Sequence, residues 1–469
     1  MLKCDLTFKT KIFLISEDGR HNTQGSRIRN DTLHETRSGT GLPALAGRFQ
    51  YFFCLLSAVW MLAQGIAFAD PETPLGRATI HPSVVQLEPE AEQKFKVVLQ
   101  ATRLAGAAVA ENVQWAVNDI PGGNSEIGTI DAEGLYRAPA KTPSPREMHI
   151  CAEVDGVENR RLWATVLMDS PGPAYELVGG WTEEKANAKY FVDPHCVCLD
   201  KAGNLVIADY FGSRVLRFTP DGEYLGVLGL GTGEKPGQVK LPRVVQADAE
   251  GQIFVSDQKS DKPRIQVFSH EGEFLRMFAE KGTEPGQMLR AHGLAFDSQE
   301  RLFVVDVDAM RINVYSHSGD FLYTWGRDGH RVGEFNAPHG IAMDRNDDLF
   351  VVGYYGPCQK FTAAGGFLFD FAHGNPPDSA VYFHSVATDR WGNVYLMVRG
   401  ARGFGGAIED NLGHNVSVMK YNNNGDYVSS LTLAVKAHKE NWATVGPDER
   451  IYAIFESNER IGFEIFAPR

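Results

Sequence analysis

The sequence predicts an all-β protein, a six-bladed β-propeller preceded by a small β-sandwich. Three observations carry that reading. A hairpin motif recurs with an aligned Asp or Gly at positions 200, 248, 297, 344, 389 and 446, spacings of 45 to 57 residues that each hold one four-stranded blade. From residue 78 onward, short β-rich runs bounded by Gly, Pro, Asn and Asp replace any helical apolar period. Glycine is plentiful at 48 residues and aromatics make up 11%, which suits many short strands joined by tight turns.

Residues 1–69 read as a leader and signal peptide. Of the 469 residues, the run 49–69 carries no charge, follows Arg48 and ends in Ala67-Phe-Ala69 before Asp70, the pattern of a secretory signal. Its 21 residues are also long enough to cross a bilayer, so an uncleaved anchor is the alternative and the one route to a membrane. The polar stretch before it is longer than an ordinary n-region, which implies either an upstream start codon or a cytoplasmic tail. Both versions export the rest of the chain, to the periplasm, the medium or the cell surface. The 46 Lys and Arg against 59 Asp and Glu leave a net charge of −13, which argues against a nucleic-acid partner. Cys151, Cys196, Cys198 and Cys358 follow neither a metal-ribbon nor a disulfide spacing and read as buried thiols.

Residues 70–169 form the predicted sandwich, from runs such as Val113-Gln-Trp-Ala-Val and Leu162-Trp-Ala-Thr-Val. Trp115-Ala-Val-Asn, Gly122-Gly123 and Gly128-Thr-Ile-Asp-Ala-Glu-Gly-Leu-Tyr-Arg-Ala-Pro139 together resemble the bacterial immunoglobulin-like (Ig-like) modules of secreted proteins, and that resemblance implies a spacer or adhesion role. Residues 170–174 are a stiff Pro-containing linker.

Residues 175–469 are the predicted propeller. Each repeat opens on an inner strand such as Pro194-His-Cys-Val-Cys-Leu-Asp200 or Pro338-His-Gly-Ile-Ala-Met-Asp344 and continues through a strand such as Leu302-Phe-Val-Val-Asp306. The sixth copy lacks a fourth strand, while Tyr175-Glu-Leu-Val-Gly-Gly-Trp181 is a fourth strand with no blade before it and should close the ring. The motif series G-x-x-P-G-Q, P-H-G-I-A-x-D, L-F-V-V-D, R-I-x-V-F resembles the NHL-repeat family over about 295 residues.

One register of the inner strands, read blade by blade, gives His195, Arg243, His292, His339, His384 and Asn441. Four histidines among six positions, in a chain with 14 His in all, point to a metal on the axis rather than to a water-filled channel. His195, His292 and His384 come from alternate blades and would present three imidazoles to one cation, with His339 accessory. Imidazole donors favour a divalent transition metal, zinc first and iron second. Loops at the same mouth carry Tyr210, Phe211, Asp257, Lys259, Asp306, Asp308, Tyr354, Tyr355, Arg399, Arg402 and Glu456, and the Gly-rich insertion 399–414 sits where a lid would.

The cyclic order of Arg243, His292, His384 and His195 is similar to that of peptidyl-α-hydroxyglycine α-amidating lyases, secreted six-bladed NHL-like propellers with three His ligands. That resemblance implies that Arg243 would hold a carboxylate and that Tyr354 or Tyr355 would take a proton. His339 departs from the family pattern. Four axial histidines also resemble the iron site of carotenoid-cleaving oxygenases, which are seven-bladed, and a His-rich ring differs from the Asn, Asp and Glu of calcium-dependent lactonase propellers. A non-catalytic scaffold binding a small molecule, a peptide or a protein at the propeller mouth is the alternative function. The chain has no nucleotide loop, no Ser-His-Asp elbow and no HExxH.

Overall fold

A computed structural model describes residues 78–99, 108–110, 112–154, 161–169, 174–258, 262–354, 356–372, 382–399, 418–431, 433, 442–456 and 459–469. The leader and apolar run 1–69 lie outside the described residues, as do Lys259, Tyr355, Arg402, Asn441 and most of the insertion 399–414.

Strands between Ala78 and Met168 form three sheets, one more than a simple two-layer sandwich needs. The largest has Arg161–Met168 at its heart, paired antiparallel with Glu147–Val154 and parallel with Val84–Leu87. Alternation along these strands turns Met148, Ile150, Ala152, Ala164 and Val166 to one core with Ile80, Phe95, Trp115 and Tyr136. Tyr136 is buried because its hydroxyl donates to the Ile127 carbonyl at 2.8 Å.

From Tyr175 to Pro468 six four-stranded antiparallel sheets follow one another, a propeller-type arrangement. Their inner strands are Pro194–Leu199, Pro242–Ala247, Ala291–Phe296, Pro338–Met343, Tyr382–Thr388 and Trp442–Val445. Each lies beside the next, and Trp442–Val445 lies beside Pro194–Leu199, so the series is cyclic. Second strands such as Leu205–Asp209 and Leu302–Asp306 are buried at every residue, because each sheet is covered by a neighbour on both faces. The outermost strand of the sixth sheet is Tyr175–Glu184, paired with Arg460–Pro468. N- and C-terminal strands therefore share one sheet, as the orphan strand at 175–181 required, and no inner edge is left open.

The turn between first and second strands explains the recurring Asp. Asp200 Oδ1 accepts from the backbone N–H groups of Ala202 and Asn204, and Asp297, Asp344 and Asp389 make the same pair of bonds. Their other oxygens meet a cation or a hydroxyl: Arg217 at 3.0 Å, Arg301 at 2.6 Å, Lys360 at 2.9 Å and Tyr395 at 2.9 Å respectively. The Gly turns farther out have a separate cause. Gly319 has φ 99°, and a Cβ there would stand 2.5 Å from the Phe278 ring of the preceding sheet.

The N-terminal sheets rest on these turns at sheets four to six. Lys420 Nζ donates to both Glu147 oxygens at 2.7 and 2.8 Å and to Tyr175 Oη at 3.2 Å, and all three groups are buried. His149 stacks on Trp391 with ring centroids 4.6 Å apart, and Cys151 and Trp163 pack against the same indole. Asn346 Nδ2 donates to the Arg161 carbonyl and Asn422 Nδ2 to that of Ser83. These buried contacts dock the N-terminal sheets against the propeller.

Candidate functional site

The ring register sits at one backbone irregularity repeated through five sheets. Pro194 pairs with Asp209 and Cys196 with Ala208, which leaves His195 as an extra residue opposite no partner. Arg243, His292, His339 and His384 are skipped by the same register shift. A bulge re-aims its extra side chain out of the pleat, and here all five are gathered at the end of the inner strands. Buried Asp209, Asp257 and Asp306, at the ends of the second strands, fix the chain as it approaches each bulge. Asp209 accepts from the N–H groups of Val192 and Asp193, Asp257 from that of Lys240, and Asp306 from those of Leu289 and Arg290. Each also pairs with an arginine of the third strand, Arg214, Arg264 or Arg311, at 2.8 to 3.4 Å. Asp257 and Asp306 are therefore anchors and not wet groups of the mouth.

The four histidines form a connected set. Ring centroids of His292 and His339 are 4.2 Å apart, those of His339 and His384 4.2 Å, and those of His384 and His195 5.6 Å. His339, assigned from sequence as an accessory, thus lies between two of the three histidines assigned as ligands. Its Nδ1 is 3.1 Å from the His384 carbonyl, which orients the ring. Trp442 of the sixth sheet completes the circle, 5.5 Å from His384 and 6.1 Å from His195. Trp442 is not among the residues the sequence singles out, and the position it assigns in this sheet, Asn441, lies outside the described residues.

All four imidazoles are buried, at 0 to 7% exposure. Both ring nitrogens of His292 are buried with no hydrogen-bond partner among the described residues. Burial, with the positive charges of Arg243 and Arg290 adding, holds His292 well below the ordinary histidine range and so neutral. A neutral imidazole with two unspent nitrogens is the protonation state a metal needs. Among the described residues, one group of three metal-competent side chains has donor atoms all within 4.8 Å of one another, and it is not in this ring. No three of the axial donors, among the described residues, lie within that distance of one another.

Arg243 is half-buried and has no carboxylate partner among the described residues. Its guanidinium lies 5.3 Å from the Tyr210 ring centre, and its Nε is buried and unbonded. Tyr210 is 5.8 Å from His195 and 4.9 Å from Phe211, which is 64% exposed at the mouth. Tyr354 is 4.5 Å from His339 and 6.2 Å from His384. Asp308 is exposed and paired with Arg290, and Glu456 is buried. Beyond the ring, a central channel of about 210 Å³ runs between the inner strands, lined by Cys196, Val245, Leu294, Ile341, Val386 and Ala443 among others. Burial pushes the Cys196 thiol up to about 12, so it stays protonated and offers no thiolate to the axis. All four described cysteines are buried and free, as their spacing implied.

No family model matches the chain. Among solved structures it is similar to a streptogramin B lyase, at 10% identity over 62% of this chain and 98% of that one, with a TM-score of 0.42. A protein of unknown function from Bacteroides thetaiotaomicron matches at 13% identity over 85% and 100%, with a TM-score of 0.46. A gluconolactonase from Xanthomonas campestris matches at 12% identity over 61% and 86%, with a TM-score of 0.41. These activities are properties of those proteins and are not carried to this chain.

Proposed function

We propose that the chain is an exported six-bladed, NHL-type propeller with an Ig-like module, and that its axial ring holds one divalent transition metal, zinc or iron. His292, His195, His384 and His339 would be the donors. The observation that carries this reading is His292, a fully buried neutral imidazole with two unbonded nitrogens in contact with a second imidazole. Leaving such a group unsatisfied costs about 1–3 kcal/mol, and a cation offsets that cost. Small rotations about the side-chain bonds of rings already 4.2 Å apart would bring their nitrogens together.

The reaction class we assign is a lyase, on the likeness of the ring order to the amidating lyases. When bound, the cation would polarise an oxygen of the ligand. The chain's own residues do the rest. Arg243, which has no carboxylate partner among the described residues, holds an anionic group of a small molecule or peptide, and Tyr354 moves a proton at its hydroxyl. Elemental analysis of protein made without a His tag tests the site: wild type carries one equivalent more than His292→Ala. Equal content in the two would end the reading. A scaffold without metal is the second reading, favoured by the lack, among the described residues, of three axial donors all within 4.8 Å of one another, and it expects that equality.

A further inference from the structure

The Asp of the first turn is satisfied differently in the second sheet. Arg217, Lys360 and Lys420 occupy one register position of the third strand, opposite Val206, Phe350 and Tyr395, and place a fixed positive charge near Asp200, Asp344 and Asp389. In the second sheet that position is Val267, opposite Phe254. Asp248 instead meets His317, from the outer turn of the third sheet, whose Nε2 is 2.8 Å from Asp248 Oδ2. Glu300, on the first turn of the third sheet, brings Oε2 to 3.5 Å from the same nitrogen.

These three are the group whose donor atoms all lie within 4.8 Å of one another. Donors about 2.0–2.2 Å from a tetrahedral cation stand about 3.3–3.6 Å apart; the His317–Glu300 edge is 3.5 Å, the His317–Asp248 contact of 2.8 Å would open by a few tenths of an ångström, and the third edge lies within 4.8 Å. Its charge is also unbalanced. Asp248 and Glu250 both face Arg276, and Glu300 adds a third carboxylate beside one imidazole. Arg276 directs its hydrogen bonds to Gln252 Oε1 and the His317 carbonyl, at 2.7 and 2.6 Å, and none to Asp248 or Glu300 among the described residues. It braces the turn carrying His317 and leaves the two carboxylates for another cation. The Asp248 side chain is fully buried, while those of Glu300 and His317 are 32% and 30% exposed, so the site has a closed floor and an open side.

We infer that Asp248, Glu300 and His317 bind a divalent transition-metal cation of the zinc class, which joins the second and third sheets at the end of the propeller opposite the histidine ring. Two carboxylates and an imidazole supply three ligands, and water from the open side completes the shell. Neighbouring junctions on this face are joined by direct hydrogen bonds. Ser298 bonds Asp347 between the third and fourth sheets, and Asn423 bonds Asp344 between the fourth and fifth.

The test is zinc titration of full-length, tag-free, chelator-stripped protein against a chromophoric competitor. Wild type should lose one equivalent of binding on His317→Ala, and Glu300→Gln should weaken that equivalent about 10- to 100-fold. Zinc should raise the melting temperature of wild type more than that of Glu300→Gln, which keeps the shape of the side chain and guards against misfolding as the cause. His292→Ala should leave this equivalent intact. A single wild-type site abolished by His317→Ala and kept in His292→Ala would support this centre and sink the axial one. A single site abolished by His292→Ala and untouched by His317→Ala and Glu300→Gln would overturn the inference.

Discussion

Where the inner strands of the propeller finish, Asp200, Asp297, Asp344 and Asp389 bond turn N–H groups and meet a cation or hydroxyl, and Glu147 shares two short bonds with Lys420. Where the same strands start, His292 keeps two buried nitrogens unbonded and Arg243 has no carboxylate among the described residues. Both ends bury polar groups at comparable depth. The difference lies in what surrounds the unbonded groups: at the docked end His149 keeps two unbonded nitrogens but stacks on Trp391 among paired charges, whereas at the ring His292 keeps two unbonded nitrogens against a second imidazole and beside an arginine with no carboxylate among the described residues.

The largest effect should come from breaking the saturated end. Burial works against the Lys420 ammonium, but the charges of Glu147, Tyr175 and Asp389 outweigh it and hold the group protonated. Lys420→Met strands Glu147 away from water and should cost about 3–5 kcal/mol in chemical denaturation, while Glu147→Met with Lys420→Met should recover much of that. A double variant as unstable as the single one would mean that the network supplies more than charge compensation.

At the unsaturated end the order of effects should invert. His292→Ala should lower metal affinity by about 100-fold, roughly 3 kcal/mol, yet change the stability of the metal-free protein by far less than Lys420→Met does. Parallel metal titration and denaturation of the two variants measure the contrast. A His292→Ala protein destabilised as much as Lys420→Met would place the ring with the structural groups.

His149 offers a finer comparison, because it is a buried histidine at the docked end whose two ring nitrogens, like those of His292, have no hydrogen-bond partner among the described residues. Burial first, then the charges of Lys420 and Arg390, hold it well below the ordinary range. Its folded pKa is depressed below the unfolded value near 6.5, so its contribution is fully present above about pH 6.5 and is lost as pH falls. The slope from this one group is at most about 1.4 kcal/mol per pH unit. His149→Phe, which keeps a ring against Trp391, should flatten thermal stability between pH 7 and pH 5. An unchanged slope would assign the acid sensitivity elsewhere.

Much of the propeller was legible because it is local. The Asp that closes five of the six inner turns, the Gly forced at the outer turn by an aromatic of the preceding sheet, and the strand at 175–181 without a blade all announce themselves in a few residues. The ring was legible as a register, but the cause of its inward aim was not, since a bulge is a relation between two strands and leaves no residue type behind. Asp257 and Asp306 looked like mouth residues because their bonds go to backbone N–H groups some sixteen residues upstream. Glu147 and Lys420 lie 273 positions apart, and Asp248 and His317 lie 69 apart, so no spacing argument could join them. Docking of the N-terminal sheets was equally hidden, because the stack of His149 on Trp391 joins residues far apart in the chain.

The smallest expected effect discriminates most sharply within the ring. Arg243 sits close enough to His292 for its charge to disfavour the protonated imidazole, and the same charge must disfavour a metal cation on that ring. Arg243→Gln removes the repulsion and should strengthen axial metal binding a few-fold, while Arg243→Lys keeps the charge and should leave it near wild type. Anion binding should move the other way. A simple carboxylate such as acetate should protect the wild-type ring from chelators better than it protects Arg243→Gln, because the guanidinium supplies the counter-charge the ring otherwise lacks. Competition titrations on the three proteins, with and without acetate, read both effects. If Arg243→Gln binds metal less tightly than wild type, the arginine stabilises the loaded ring and does not oppose it, and its role as the anion's partner is wrong.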